Sequence, residues 1–406
     1  MNVRSMMWID KYIGIPLCFL LTLVHSVGKR LDTHPIGQNQ SPKKILFIEL
    51  SEMGSTVLAY PAINKVQQLY PRAKIYFLIF KELEKSIHLL GYLPPTQIKT
   101  IRSSSFSALI IDTLKFLWWA RREKIDTIFD LELFSRFTSI LSYLTGAHSR
   151  IGFHRYSQEG LYRGNTLTHP IAYNPTQHIS KSFLSMVYAL QMNSAPFPKI
   201  IISDAELVCP KIKTDARARE QLQKRLVEQY PSALSSTLIV MNPSMNPILP
   251  LRAWPREKYV QLIKRLLANP DIIVVTTGSP KELDDAEFVV KKVHNPRCFD
   301  LRTTLKENID LCCLARVYVT HDGGMAHFAS ATPCGVVVLF GPVPDFEYKP
   351  LGNRVQTVYQ HLSCSPCLTA FNHRVSPCKD NVCMQTIEIE EVAKKVELFI
   401  GPASPF

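Results

Sequence analysis

The chain has 406 residues, 46% of them apolar, and a formal net charge of +13. That length accommodates two domains that each bury a core, and the apolar content excludes an intrinsically disordered chain. The charge points to an anionic partner such as a nucleotide diphosphate, a phosphorylated lipid or an acidic membrane face; nucleic acid is set aside because no zinc-finger pair, RNP-type aromatic motif or arginine-rich arm is present.

The first element is an apolar stretch, Tyr12 to Val27, interrupted by Gly14 and Pro16 and bounded by Lys11 and by Lys29 and Arg30. It is shorter than the roughly 20 apolar residues of a membrane span. A signal peptide fits the length, but Asp10 lies in its charged region and no small-residue cleavage site follows. The favoured reading is a helix lying in the membrane interface, with Trp8 and Tyr12 at headgroup depth and basic residues beside it. A signal peptide and an anchor stay open. Leu31 to Pro42 is a polar linker, so residues 1–42 are set apart as a membrane-associating helix and linker.

Residues 43–200 form the first expected domain. Its elements are a buried strand at Lys44 to Leu50, a glycine turn, an apolar helix and a strand at Lys74 to Phe80. They continue with a helix over Phe106 to Arg122, strands within Asp126 to Glu132 and Arg150 to Phe153, and an apolar helix within Thr166 to Ala195. Residues 201–406 form the second, with a strand in Leu238 to Ser244, a helix over Arg256 to Ala268, a strand in Asp271 to Gly278, a helix over Lys281 to His294 and a closing helix from Glu388 to Phe399. Strands alternating with helices imply parallel sheets covered on both faces. Trp118 and Trp119 read as core or membrane-facing.

The most informative stretch is Val317 to Gly341, which reads as strand, sharp turn, small-residue helix and strand, a parallel βαβ unit. Its HDGG turn places Asp322 as a helix N-cap, and Gly323 and Gly324 let backbone N–H groups approach a ligand. Such a helix start attracts anions. His327, one turn into the helix, either faces the same ligand or packs in the core.

Together the two ends of the chain resemble glycosyltransferase family 9, which includes the ADP-heptose:lipopolysaccharide heptosyltransferases. The family's LSxxGD opening is similar to Ile48 to Ser55. Its DTGxxHLA loop and TPxxxLFGP strand are similar to Asp322 to Ala329 and Thr332 to Pro342, and the resemblance runs from about Lys43 to the C-terminus. It implies an α/β, GT-B-like fold, two Rossmann-type doubly wound parallel-sheet domains facing across a cleft. It also implies an inverting transferase that needs no metal or other cofactor and moves a sugar, heptose from ADP-heptose, to a lipopolysaccharide-core or related glycolipid acceptor. Location would be cytoplasmic and peripheral on the inner membrane. In the family the Asp322 loop contacts the donor, Arg252, just before Trp254-Pro255, corresponds to the cation that neutralises the leaving diphosphate, and Glu282 approaches the ribose. Ser244 either donates to phosphate or caps a turn.

One departure matters. The family's LSxxGD motif ends in an aspartate thought to act as general base, and this chain has Ser55, which takes no proton at neutral pH unless another base activates it. Glu52 substitutes, or Asp130 or Glu132 does, or activity is lost. The competing functions are a degenerate GT-B protein that binds nucleotide sugar without transfer and a nucleotide-sugar epimerase. Cys364, Cys367, Cys378 and Cys383 are spaced compatibly with a metal but in no standard finger pattern. The family carries a similar run ending in Cys383-Met384, which supports membership over a metal, so no metal ligand is assigned. A cytoplasmic donor argues against disulfides there.

Overall fold

The computed structural model describes residues 3–31, 41–154, 162–192, 198–244, 250–278, 283–372 and 374–401. The chain divides into two compact units, Met1–Val208 and Cys209–Phe406.

The first unit opens with helices α1 (Val3–Tyr12) and α2 (Gly14–Leu31). There follow β1 (Lys44–Ile48), α3 (Ser55–Leu58), α4 (Tyr60–Leu69), β2 (Lys74–Phe80), α5 (Glu84–Leu90) and β3 (Ile98–Ile101). The unit continues with α6 (Phe106–Glu123), β4 (Thr127–Asp130), α7 (Arg136–Leu144), β5 (Ser149–Phe153), β6 (His169–Ile171) and α8 (Ile179–Leu190). The second unit runs α9 (Ala216–Gln229), β7 (Thr237–Asn242), α10 (Arg256–Leu266), β8 (Ile272–Thr276), α11 (Leu283–Val293), β9 (Cys298–Asp300) and α12 (Leu305–Leu314). It ends with β10 (Val317–His321), α13 (Gly324–Ser330), β11 (Gly335–Phe340), α14 (Asp345–Tyr348), β12 (Val355–Tyr359), α15 (Val382–Gln385) and α16 (Ile389–Ile400).

Among the described residues each unit holds one six-stranded sheet, ordered β3-β2-β1-β4-β5-β6 in the first and β12-β11-β10-β7-β8-β9 in the second. Counted from its own first strand, each sheet has the order 3-2-1-4-5-6 of the doubly wound dinucleotide-binding fold, with every pairing parallel. The central strands are apolar throughout because helices cover both faces: Ile45, Leu46, Phe47 and Ile48 of β1 are all fully buried. Some helix starts are capped by side chains, as at α6, where Ser105 Oγ accepts from the Ala108 N–H at 3.2 Å, and at α12, where Thr304 and Glu307 form a capping box.

In such sheets ligands bind beyond the carboxyl ends of the strands, where the strand order reverses. In the first unit that point lies between β1 and β4, in the second between β7 and β10. The loops that follow those four strands carry the candidate residues.

The N-terminal helices belong to the first unit. The segment Ser5–Gly28, 24 residues, is long and apolar enough to cross a membrane, so the expectation that the run is too short for a span is corrected. Lys11, which seemed to bound it, is itself helical. Its inner face packs on α7 and its surroundings through residues three or four apart. Cys18 is buried, and a Cβ on Gly14 would lie 2.8 Å from that of Arg136. Thr22 Oγ1 accepts from the Asn165 N–H at 3.0 Å, and the His25 ring meets Tyr143 edge-on at 5.4 Å. In α1, Asp10 accepts from the backbone N–H groups of Arg136 and Phe137, each at 2.9 Å, satisfying first-turn donors of α7, and pairs with the Arg136 guanidinium at 3.0 Å.

Candidate functional site

In the second unit the loops after β7, β8 and β10 converge in polar groups. Asn242, the last residue of β7, accepts from the Ser244 N–H at 3.0 Å, an Asx turn. The Ser244 hydroxyl donates to the Thr277 carbonyl oxygen at 3.4 Å, tying the β7 loop to the residue after β8. Thr277 Oγ1 in turn accepts from Asn308 Nδ2 at 3.4 Å. Ser244 is 2% exposed, so its hydroxyl is engaged in holding this corner.

Arg252 lies on a segment anchored on both sides. Trp254, almost completely buried, donates from Nε1 to the Ile387 carbonyl at 3.3 Å, and Asn381 Nδ2 donates to the Ala253 carbonyl at 3.0 Å. The Arg252 guanidinium thereby reaches the end of β10, with Nη1 2.9 Å from Asp322 Oδ2. This corrects the expected capping role of Asp322. Its backbone N–H still belongs to the sheet, donating to the Leu339 carbonyl at 2.9 Å, so the chain enters α13 one residue later. The N-cap position falls on Gly323, and no side chain caps the helix. Gly323 is extended, at φ 178°, a conformation open to any residue. What glycine leaves there is space, since an added Cβ would meet only the His321 carbonyl oxygen, at 3.8 Å. Gly324 is the first helical residue and His327 is buried within α13.

The electrostatics of this corner are governed by burial. Burial pushes the Asp322 carboxyl up, against the opposing pull of Arg252. The two influences conflict, and the 2.9 Å contact sides with the charged form. His321, which the sequence reading left without a role, is 7% exposed, and burial with Arg252 nearby lowers its imidazole to about 4. Arg252 Nε and His321 Nδ1 are buried without a hydrogen-bond partner among the described residues, and Asp322 Oδ2 meets only the Arg252 guanidinium. Buried polar atoms are rarely left so, and two beside a buried ion pair at one strand end make this corner the candidate site. The HDGG tetrapeptide was the only sequence signal for His321.

In the first unit, Glu132 after β4 holds the loop after β1. Its Oε1 accepts from the N–H groups of Leu50 at 2.7 Å and Ser51 at 3.0 Å and from the Ser51 hydroxyl at 3.0 Å. Asp130 is fully buried and paired with the buried guanidinium of Arg163, which also donates to Thr138 Oγ1 at 3.2 Å. Burial pushes both carboxyls up, while Arg163 for Asp130 and the Leu50 N–H for Glu132 pull them back. These two carboxylates are thus occupied in structure. Glu52 is differently placed: it lies in the turn itself, and Ser55 Oγ donates to its Oε2 at 3.3 Å.

Comparison with known proteins matches this chain over residues 121–374 to the family model of glycosyltransferase family 9 (heptosyltransferase). The chain belongs to glycosyltransferase family 9. It is 30% identical over 115 residues to lipopolysaccharide heptosyltransferase 2 of Salmonella typhimurium, a stretch covering 27% of this chain and 32% of that relative. The chain therefore matches about a third of the length of this relative. Over 313 residues it is 22% identical to lipopolysaccharide heptosyltransferase 3 of Escherichia coli, covering 74% of this chain and 84% of the other. The structure of E. coli ADP-heptose lipopolysaccharide heptosyltransferase II superimposes with a TM-score of 0.65 at 17% identity, over 88% of this chain and 98% of that one. That likeness shows the shared GT-B-like fold.

The Cys383-Met384 pair of the sequence resemblance gains a physical reading. The Cys383-Met384 pair is buried against Gly341, where an added Cβ would stand 2.9 Å from both Cys383 Sγ and Met384 Cγ, so these residues pack the strand end that leads into Pro342. Burial, with Cys367 next in influence, pushes the Cys383 thiol up to about 11. All ten cysteines are free, and among the described residues no three His, Cys, Asp or Glu side chains are grouped to hold a metal ion. Glu282 lies outside the described residues.

Proposed function

We propose that this family 9 chain transfers heptose from ADP-heptose to a hydroxyl of a lipopolysaccharide-core or related glycolipid acceptor, with inversion, at the cytoplasmic face of the inner membrane. The observation that carries the reading is the buried Arg252–Asp322 pair, with Arg252 Nε and His321 Nδ1 left unpartnered, at the switch point of the second unit. An ADP diphosphate offers Arg252 the bidentate, doubly charged partner that a single misaligned carboxylate oxygen does not. Open space at Gly323 leaves room for phosphate beside the backbone. As the bond from the anomeric carbon to ADP breaks, negative charge gathers on the departing diphosphate, and Arg252 neutralises it without reorganising. Glu52 takes the proton of the attacking acceptor hydroxyl, with Ser55 as its hydrogen-bond donor in place of the aspartate usual in the family. Asp322 and neutral His321 act as the frame that aims Arg252.

The test is calorimetric titration with ADP alongside a transfer assay using ADP-heptose. Arg252→Lys keeps a cation beside Asp322 but loses the bidentate fork, and is expected to weaken ADP about tenfold, with Arg252→Ala weaker still. Unchanged ADP affinity in a folded Arg252→Lys protein would remove the donor site from this strand end. Turnover of another nucleotide sugar in preference to ADP-heptose would overturn the heptose assignment.

A further inference from the structure

The first unit exposes two apolar stripes on helices that border a third. On α6, Phe106, Ile110, Ile111, Leu114 and Trp118 are 42–63% exposed and recur at helical spacing, away from buried Phe116 and Ala120. On α2 the face turned away from Gly14, Cys18, Thr22 and His25 carries Leu20, Leu23, Val24 and Val27, all 49–58% exposed. Helix α7 packs against both α2 and α6. The two stripes therefore lie on two helices that share one packing neighbour, and exposed apolar stripes of this length mark an interaction surface.

Cations border the apolar side chains. Lys115, Arg121 and Arg122 of α6 are exposed, and the Arg122 guanidinium stands 5.2 Å over the Trp118 ring. Beside α6, a groove of about 410 Å³ is lined by Lys81, Lys99, Arg102 and Lys115 together with Phe116 and Trp119. The acid of that groove, Asp112, is paired with Arg102 at 2.7 Å, and Lys81 with Glu84, which leaves Lys99 and Lys115 to make it positive.

We propose that α2 and α6 form a docking face that lies on an anionic phospholipid bilayer, their apolar stripes at the acyl boundary and the bordering cations at phosphate depth. Apolar side chains edged by Lys, Arg and Trp are what an interfacial helix presents to headgroups. A second copy of the chain is the poorer occupant, since a two-fold contact through this face would bring two copies of the exposed Lys115, Arg121 and Arg122 cluster into one interface. A membrane crossing by α2 is the poorer geometry, because its inner face is packed along the folded unit from Gly14 to His25. The proposal rests on the glycolipid reading of the acceptor for its purpose, since a monotopic face brings the first unit to a substrate fixed in a bilayer.

The test uses the full-length protein and vesicles of phosphatidylcholine, with and without phosphatidylglycerol. Binding to the anionic vesicles that weakens in raised salt is expected, with little binding to phosphatidylcholine alone. The pairs Leu114→Glu with Trp118→Glu, and Leu20→Glu with Val24→Glu, should each lower partitioning at least about tenfold while the melting temperature and ADP binding hold. Unchanged partitioning in both pairs overturns the proposal. So does a wild-type dimer, seen by light scattering, that the same substitutions dissociate, because a second copy would then be what covers the face. Vesicle binding that persists in protein devoid of heptosyl transfer would uphold the docking face and count against the proposed function alone.

Discussion

At His321, burial ties the stability of the second unit to pH. Its ordinary value of 6.5 falls to about 4 in the folded protein. The unfolded chain therefore binds a proton near pH 6.5 that the folded unit refuses until about pH 4. The stability held by the neutral ring is complete above pH 6.5 and is lost as pH falls toward 4, a swing of up to about 3 kcal/mol. Denaturant unfolding at about pH 7.5 and about pH 4.5 measures it. His321→Gln should flatten that acid limb, and an equally steep limb in the variant would assign it to another group. Across the switch point of the other sheet, Glu52→Gln should lower turnover by about 10²- to 10⁴-fold with ADP affinity unchanged, the size of effect expected for losing a general base. Full activity in Glu52→Gln would clear this carboxylate of the role. The sequence reached these residues unequally. Arg252 and Glu52 stood out by motif and by proximity to Ser55, whereas the pairing of Asp322 with Arg252 depends on contact across 70 positions, which spacing does not reveal.

Elements were legible where burial makes the chain apolar on every side. The strands at Lys74–Phe80 and Val317–His321 announced themselves as unbroken apolar or β-branched runs, and α6 by its helical spacing. The edge strands β3, β6, β9 and β12 did not. Ile98-Lys99-Thr100-Ile101 buries only its two end residues, and Cys298-Phe299-Asp300 is three residues long, too short for a period to show. The packing of α16 on β11 was equally hidden, because it turns on a missing side chain. Gly335, first residue of β11, lies under the ring of Phe399, where an added Cβ would come within 2.7 Å of ring carbons. Gly335→Ala is thus expected to cost about 1 to 3 kcal/mol by overpacking, read as a lower melting temperature of the second unit. If Gly335→Ala paired with Phe399→Leu melts no higher than Gly335→Ala alone, the clash is not the cause.

At the scale of the whole chain, the same strand order is built twice from sequences without a visible repeat, because parallel right-handed crossovers leave few ways to wind six strands. The N-terminal helices are where the sequence misled most, since an apolar run followed by a polar linker reads as a detachable appendage. Asp10 shows otherwise. Its carboxylate meets two backbone N–H groups of α7 and the guanidinium of Arg136, a residue 3% exposed. Asp10→Ala would leave that cation buried without its partner, a loss of about 3 kcal/mol. In a unit of this size that lowers the melting temperature by roughly 6–12 °C. Removing residues 1–28 takes the same carboxylate together with the α2 face on α7, so the first unit should aggregate or melt far below the full chain, while ADP still protects the amides of the second unit from hydrogen exchange. A truncated protein that melts like the full-length chain would show that α1 and α2 contribute nothing to the fold, and would return them to the status of a removable anchor.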